Sequence, residues 1–427
     1  MRKYFIFNKN IILVNGANRG LIQDLNRKKI FSIDHFSKIY LKKLLNGYEI
    51  EKLISEISKD DSEKFIRYLD LLINNDIGYY SDKWINSGEY EKQKKIDQKI
   101  ETVWFELRKA CNLHCCHCYL DSNINSDKNL EMLSINEWKM LIDQLEKYNP
   151  KKIILIGGEP LLFRELSELI IYCKQKCKDT DIVLYSNLTL LDENTLRCIK
   201  KNNIKVITSL YSSIPSIHDK ITGVNGSFKL TVKNIKKLIE NKCFVQANTV
   251  IMNYNHENID DTIRYIHRLT NKKGKVDLIR NIGNSKEGFS SREICETYER
   301  IRAKPDFNPI SEKIFFRNYS GNSCWQGKIN ISCDGYVTPC IMAGKFANKA
   351  FNIKELSVNE ILENYLKPKF WSISKDYVDE CKDCEYRYVC KDCRPMNEEN
   401  KNILSKGRNC MYNPYKGKWN RDVKGGK

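Results

Sequence analysis

No apolar run in this chain approaches the roughly 20 residues that a membrane-spanning helix needs; the longest, such as Ile153-Ile154-Leu155-Ile156, are the length of a strand. The N-terminal run Met1-Arg2-Lys3-Tyr4-Phe5-Ile6-Phe7-Asn8 meets a polar residue too early for a secretory core. A cytoplasmic protein with no membrane partner is therefore expected. A basic stripe interleaved with aromatics is also lacking. The net charge is +18, but the lysines are spread along the whole length. That charge reads as a compositional bias, and nucleic acid is not expected as a partner. Cysteine, by contrast, is in excess, at 17 of 427 residues. In a cytoplasmic protein such a count argues for metal rather than disulfides. The length allows two or three domains.

Three of these cysteines stand in a tight run. Cys111, Cys115 and Cys118 form a C-x3-C-x2-C spacing, with Cys116 as a spare thiol inside it. Cubane iron–sulfur clusters are usually held by four thiolates. A loop offering three leaves one iron without a protein ligand, and an open coordination position is where a metal site does chemistry. A small molecule with an amine and a carboxylate would suit that iron. The competing readings are a zinc knuckle or a structural cysteine cluster, although zinc sites more often pair two C-x2-C units across a longer gap.

Around this run the chain divides into parts. Residues 1–82 begin with short strand-like runs at 4–7, 11–14, 21–25 and 30–33, followed by helical stretches at 37–45 and 61–75. Residues 83–99 are polar and lysine-rich and read as a linker or a solvated helix. From 100 to 305, strand patterns at 103–107, 153–156, 182–185, 206–210, 244–251 and 276–279 alternate with helical patterns at 135–145, 166–177, 193–201, 228–241 and 259–269. Such alternation predicts a parallel α/β sheet. Residues 315–415 hold eight of the cysteines and form a metal-dominated domain. Residues 416–427 are a basic tail expected to lack structure.

The cysteine run resembles the signature of the radical S-adenosylmethionine (radical SAM) enzymes. Gly157-Gly158-Glu159-Pro160, directly after the second strand of the alternating region, is similar to that family's GGEP element. The resemblance implies a partial (β/α)6 barrel and a [4Fe-4S] cluster on Cys111, Cys115 and Cys118. S-adenosyl-L-methionine would chelate the unique iron and yield a 5′-deoxyadenosyl radical. It also implies cofactor contacts from Gly157, Gly158, Glu159 and Pro160, from Ser186 and Asn187 at the end of the third strand, and from Ser209 at the end of the fourth. His117 stands where relatives often place an aromatic near adenine, and the run His218–Gly223 is also typical of the family.

The later cysteines resemble the SPASM domain, a seven-cysteine module for auxiliary [4Fe-4S] clusters. Cys324, Gly335-x4-Cys340, Cys381-x2-Cys384-x5-Cys390 and Cys410 fit its pattern, whereas Cys390 and Cys393 are one residue too close. By position, one cluster would take Cys324, Cys340 and Cys393, with Cys333 as a candidate fourth ligand. The other would take Cys381, Cys384, Cys390 and Cys410.

Residues 1–82 are similar in layout to the winged-helix-like peptide-recognition modules of peptide-modifying enzymes, where a leader peptide adds a strand to a sheet edge. The string from Cys381 to Pro395 and the run Ile12–Arg19 resemble the maturases of grasp-with-spasm systems. The resemblance implies a ribosomal precursor peptide as substrate, crosslinked or epimerised. It further implies an electron donor of flavodoxin or ferredoxin type and an ATP-grasp ligase as partner. Anaerobic sulfatase-maturating enzymes, which make formylglycine, look similar in both cluster regions. They carry an Asp directly after the G-x4-C cysteine, where this chain has Ile341. A tRNA-modifying radical SAM protein is a further alternative, with the net charge as its sole support. The substrate base is not assignable from sequence.

Overall fold

The computed structural model describes residues 3–86, 99–280, 282–285, 294, 297, 310–346, 348–391, 393–396, 402–407 and 410–419. Most of the expected linker at 83–99 lies outside the described residues. The chain forms two compact units. One comprises Met1–Asp97, Asp306–Cys324 and Ser372–Lys427, and the other comprises Gln98–Pro305 and Trp325–Trp371.

The first unit opens with β1 (Tyr4–Phe7), β2 (Ile11–Asn15), β3 (Gly20–Asp24), β4 (Lys29–Ile33), α1 (His35–Leu45), α2 (Ile50–Ser55), α3 (Lys59–Asn74) and β5 (Gly78–Ser81). Strands β2, β3 and β4 form an antiparallel meander, and β1 pairs antiparallel with β5. Side-chain caps start α1 and α3. Asp34 accepts the Ser37 N–H before α1, and Ser58 accepts the Asp61 N–H before α3. The alternation of β2 and β3 serves two cores. Ile11 and Ile22 pack with Phe5, Leu41, Leu44, Phe65 and Leu69 from the helical side. Ile12, Val14 and Leu21 face the other way, into a core completed by Ile310, Phe315, Phe316, Tyr388 and Val389. Phe315 and Phe316 lie on the helix Glu312–Tyr319. The N-terminal strands and the cysteine-rich C-terminal segment thus share one hydrophobic interior. Lys418–Trp419, expected to be structureless tail, instead pairs antiparallel with Tyr412–Asn413.

The second unit holds β6 (Thr102–Glu106), α4 (Ile135–Glu146), β7 (Lys152–Ile156), α5 (Leu166–Lys176), β8 (Asp181–Tyr185), α6 (Glu193–Lys201), β9 (Lys205–Ser209), α7 (Pro215–Thr222), α8 (Ser227–Glu240), β10 (Val245–Ile251), α9 (Ile259–Thr270), β11 (Val276–Leu278), β12 (Lys328–Ile331) and β13 (Val337–Thr338). The sheet order is β11-β10-β9-β8-β7-β6-β12-β13. The six strands from β6 to β11 are all parallel, as the alternating pattern predicts. An addition from the cysteine-rich region extends this sheet: β12 joins the free side of β6 in parallel, and β13 folds back on β12.

The two faces of this sheet differ. Val206, Thr208, Val245, Ala247, Thr249 and Ile251 are buried, as expected beneath the covering helices. Ile207, Ser209, Gln246, Asn248 and Val250 on the other face are only half-buried. That inner face is apolar near β7 and β8, where Trp104, Ile154, Ile156, Val183, Tyr185 and Ile207 gather with Ile341. Functional residues of parallel barrels collect at the C-terminal ends of the strands, and the first cysteine loop begins there, just past β6.

Candidate active site

The cysteine loop is held by backbone contacts on three sides. At its start, the Asp127 carboxylate accepts the N–H groups of Lys109 and Ala110 at 2.8 and 2.9 Å and pairs with Arg108. Gly158 N–H donates to Arg108 O at 2.7 Å, and Glu159 N–H to Ala110 O at 2.9 Å. On the far side, His114 and Cys116 N–H donate to the carbonyls of Thr222 and Ile221 at 2.9 and 3.0 Å. Those carbonyls belong to the last turn of α7, where a helix leaves acceptors without partners of its own. The third contact runs from Asn284 N–H to Cys118 O at 2.9 Å.

These contacts explain the motifs. A Cβ at Gly158 would lie 2.3 Å from Ala110 O and 2.4 Å from Lys109 O, so only glycine lets this turn reach the residues before Cys111. Glu159 is fully buried. Its carboxylate accepts the Leu161 N–H, the Ser186 hydroxyl at 2.7 Å and the Asn187 N–H at 2.8 Å. Desolvation raises its pKa to about 7 against the pull of these bonds. Pro160 opens a short 3-10 turn. Asn187 donates to Asn112 Oδ1 at 3.0 Å and reaches Cys111 Sγ at 3.8 Å. In the run His218–Gly223, Asp219 accepts the N–H groups of Gly226 and Phe228 and the Ser227 hydroxyl, and so fixes the junction of α7 and α8.

Cys111, Cys115 and Cys118 come together: the charges of Cys111 and Cys118 act on Cys115. Burial pushes the Cys111 thiol up to about 11, and Cys115 is also pushed well up. The Tyr211 phenol is buried, beside Ser209 and within electrostatic reach of Cys115 and Cys118. His117 packs edge-on against Tyr211, 4.7 Å between ring centroids. Burial holds the His117 pKa down at about 4, and its Nδ1 is buried without a hydrogen-bond partner.

The later cysteines divide between the units. Cys333 and Cys340 lie in the second unit, the first within the β12–β13 turn and the second just past β13. Gly335 makes that turn with φ +90°. Burial raises the Cys333 thiol to about 12. Cys324, Cys381, Cys384, Cys390, Cys393 and Cys410 lie in the first unit. Cys384 is within electrostatic reach of Cys381 and Cys390, and Cys384 N–H donates to Cys381 O at 3.0 Å.

The donor set suits iron. Buried thiols with raised pKa values ionise readily only when a metal supplies positive charge. Among the described residues no three such groups stand at metal-ligand geometry. The unpartnered His117 Nδ1 and the half-buried inner face leave polar and apolar contacts for an organic ligand.

Residues 106–267 match the radical SAM superfamily, and residues 324–385 match SPASM, an iron–sulfur cluster-binding domain. The chain is a radical SAM/SPASM enzyme. Its cofactors are S-adenosylmethionine and [4Fe-4S] clusters. It is 27% identical to the antilisterial bacteriocin subtilosin biosynthesis protein AlbA of Bacillus subtilis (strain 168), over 71% of this chain and 70% of AlbA. It is 26% identical to the sporulation killing factor maturation protein SkfB of the same strain, over 61% of this chain and 62% of SkfB. The crystal structure of Streptococcus suis SuiB bound to precursor peptide SuiA has a similar fold, with a TM-score of 0.60 at 16% identity. That likeness covers 95% of this chain and 99% of SuiB.

Three features escaped the sequence reading. Asp127 has no motif around it. Glu106 is a carboxylate inside the apolar run Thr-Val-Trp-Phe-Glu-Leu, which was a usable signal. It is buried, takes hydrogen bonds from Tyr119 and Asn330 at 3.3 Å each, and is raised to about 7 by desolvation. Asn330 was invisible as a partner because β12 joins β6 across more than 200 residues. Ile341, where the formylglycine-forming alternative needs an aspartate, packs in the apolar inner cluster with Ile154 and Val183.

Proposed function

We propose that this enzyme modifies a ribosomally synthesised peptide, leaving a crosslink or an epimerised residue. The observation that carries this reading is β4. Among the described residues it pairs with β3 alone, and its Phe31 side chain is exposed. An edge of this kind takes an added peptide strand. The names of AlbA and SkfB as biosynthesis and maturation proteins, and the SuiB complex with a precursor peptide, support the same reading.

In this reading Cys111, Cys115 and Cys118 hold the cluster that binds S-adenosylmethionine. Gly157, Gly158, Glu159, Pro160, Ser186, Asn187 and Ser209 shape that cofactor's seat. A cluster and S-adenosylmethionine bound there would supply the one-electron chemistry needed for hydrogen abstraction. The buried Glu159 ties the GGEP turn to Ser186 and Asn187, and so fixes the backbone of that turn. The apolar inner wall of Trp104, Ile154, Val183 and Ile341 excludes water from the reacting centre. Cys381, Cys384, Cys390 and Cys410, all in the first unit, would hold one auxiliary cluster. A flavodoxin- or ferredoxin-type donor and an ATP-grasp ligase belong to this reading as partners. So does a cytoplasmic location; no helix among the described residues is long and apolar enough to cross a membrane.

The test uses the full chain, reconstituted anaerobically with iron, sulfide and S-adenosylmethionine. Short peptides encoded beside it are added with dithionite. The expected result is 5′-deoxyadenosine together with a peptide that has lost a pair of hydrogens, or that gains deuterium at one residue in heavy water. Deoxyadenosine formed with every peptide unchanged would reject peptide modification.

A further inference from the structure

The turn joining β2 to β3 is gripped by the cysteine-rich segment of the same unit. Ala17 N–H donates to Asp383 O at 2.7 Å, and Asn18 N–H to Pro414 O at 3.2 Å. The Asn18 side chain reaches Tyr415 O at 3.2 Å. From the other direction, Arg387 donates to Asn15 O at 2.8 Å and to Cys384 O at 2.9 Å, so one guanidinium bridges the turn and the backbone of Cys384. Beneath the turn, the buried Lys38 ammonium donates to Gly16 O and Ala17 O at 3.0 and 2.9 Å.

Gly16 makes the closest approach. A Cβ there would lie 2.5 Å from Glu385 Oε2 and 2.8 Å from Glu385 N. That nitrogen is in the peptide bond leaving Cys384. Glu385 has no room to withdraw, because it is fully buried and accepts the Tyr412 hydroxyl. Tyr412 is itself packed against Tyr386 and Trp419, with ring centroids 5.0 and 4.9 Å apart. The edge strand β4 follows β3 directly, so whatever fixes this hairpin also fixes that edge.

We propose that the iron–sulfur cluster of Cys381, Cys384, Cys390 and Cys410 acts structurally and fastens the N-terminal recognition module, by holding the loop 381–390 in the shape that grips the turn Asn15–Arg19. Gly16, Lys38 and Arg387 are the positioning residues. The inference rests on the assignment of those four cysteines as ligands, and it holds whatever bond the enzyme makes in its substrate.

Hydrogen exchange with mass spectrometry tests it on the full-length protein, cluster-loaded and after anaerobic removal of iron by a chelator. Removal is expected to speed exchange in segment 11–24 about tenfold or more, as a Cys384→Ala variant also would. Unchanged protection of that segment after iron loss overturns the fastening. A Cys384→Ala protein that keeps all its iron overturns the ligand assignment, and the fastening with it. Gly16→Val tests the reverse direction with every cysteine intact. It is expected to lose about four irons per chain, one cubane, or to shift the electron paramagnetic resonance signal of one auxiliary cluster. A Gly16→Val protein with wild-type iron content and spectrum rejects the proposal.

Discussion

Gly158 and Glu106 mark two different limits on single residues. At Gly158 the limit is space, since a methyl group would press on the carbonyls that lead into Cys111. Gly158→Ala is expected to lower S-adenosylmethionine cleavage by about 100-fold, the scale of a 1 Å misplacement in an active site; deoxyadenosine formation under dithionite measures it. At Glu106 the limit is charge. Burial holds its carboxyl at about 7, against ~4.3 for an unfolded glutamate. Between those values the folded chain keeps a proton that the unfolded chain has shed. The stabilisation this brings is complete below pH ~4.3 and is lost as pH rises through about 7. Glu106→Gln removes the loss, worth up to about 4 kcal/mol at pH 8. Anaerobic melting curves should place the variant above wild type at pH 8, with the gap closing toward pH 5. The cysteines and GGEP were legible because their spacing is their signal. Asp127 was not, because its role depends on which amide groups the folded loop brings to it.

Among the elements, β4 and β12 show what a pattern can and cannot carry. Both are short. The chain order reveals the meander that contains β4, because its neighbours are adjacent in sequence. The place of β12 beside β6 comes from a pairing across more than 200 residues, which no local pattern encodes. Helix α7 was missed for a related reason: with eight residues it is too short to show a period, and Pro215 at its start reads as a turn. A prediction belongs to the β4 edge. Phe31→Asp changes an exposed side chain and should alter stability by only about 0.5 kcal/mol. It should nevertheless weaken capture of the peptide substrate about tenfold or more. Fluorescence anisotropy of a labelled peptide, with peptide-free S-adenosylmethionine cleavage as the control, separates the two effects.

The whole molecule is organised by interiors that ignore the order of the chain. Ile12, Val14 and Leu21 find partners in Phe315, Phe316 and Tyr388. A fragment ending near residue 90 would expose that face to water, so peptide binding belongs in the full chain. Phe316→Ala should cost about 3–5 kcal/mol and lower the melting transition of the first unit, leaving that of the parallel sheet in place; differential scanning calorimetry on cluster-loaded protein reads both. The parallel sheet itself was visible in the sequence as alternating strand and helix patterns. The shared core was not, since its two halves are each ordinary apolar runs far apart in the chain.

The pairing of β6 with β12 also sets a timetable for biosynthesis. The ribosome completes β6 at residue 106 and β12 at residue 331, which is 331 − 106 = 225 residues later. At 5–20 residues per second that delay is about 11–45 s. For that interval the first strand of the sheet has an uncovered side, and an unpaired edge invites association with other chains. The turn between β2 and β3 waits longer still for residues 383–415. Iron delivered during translation would therefore meet thiols whose scaffold is unfinished.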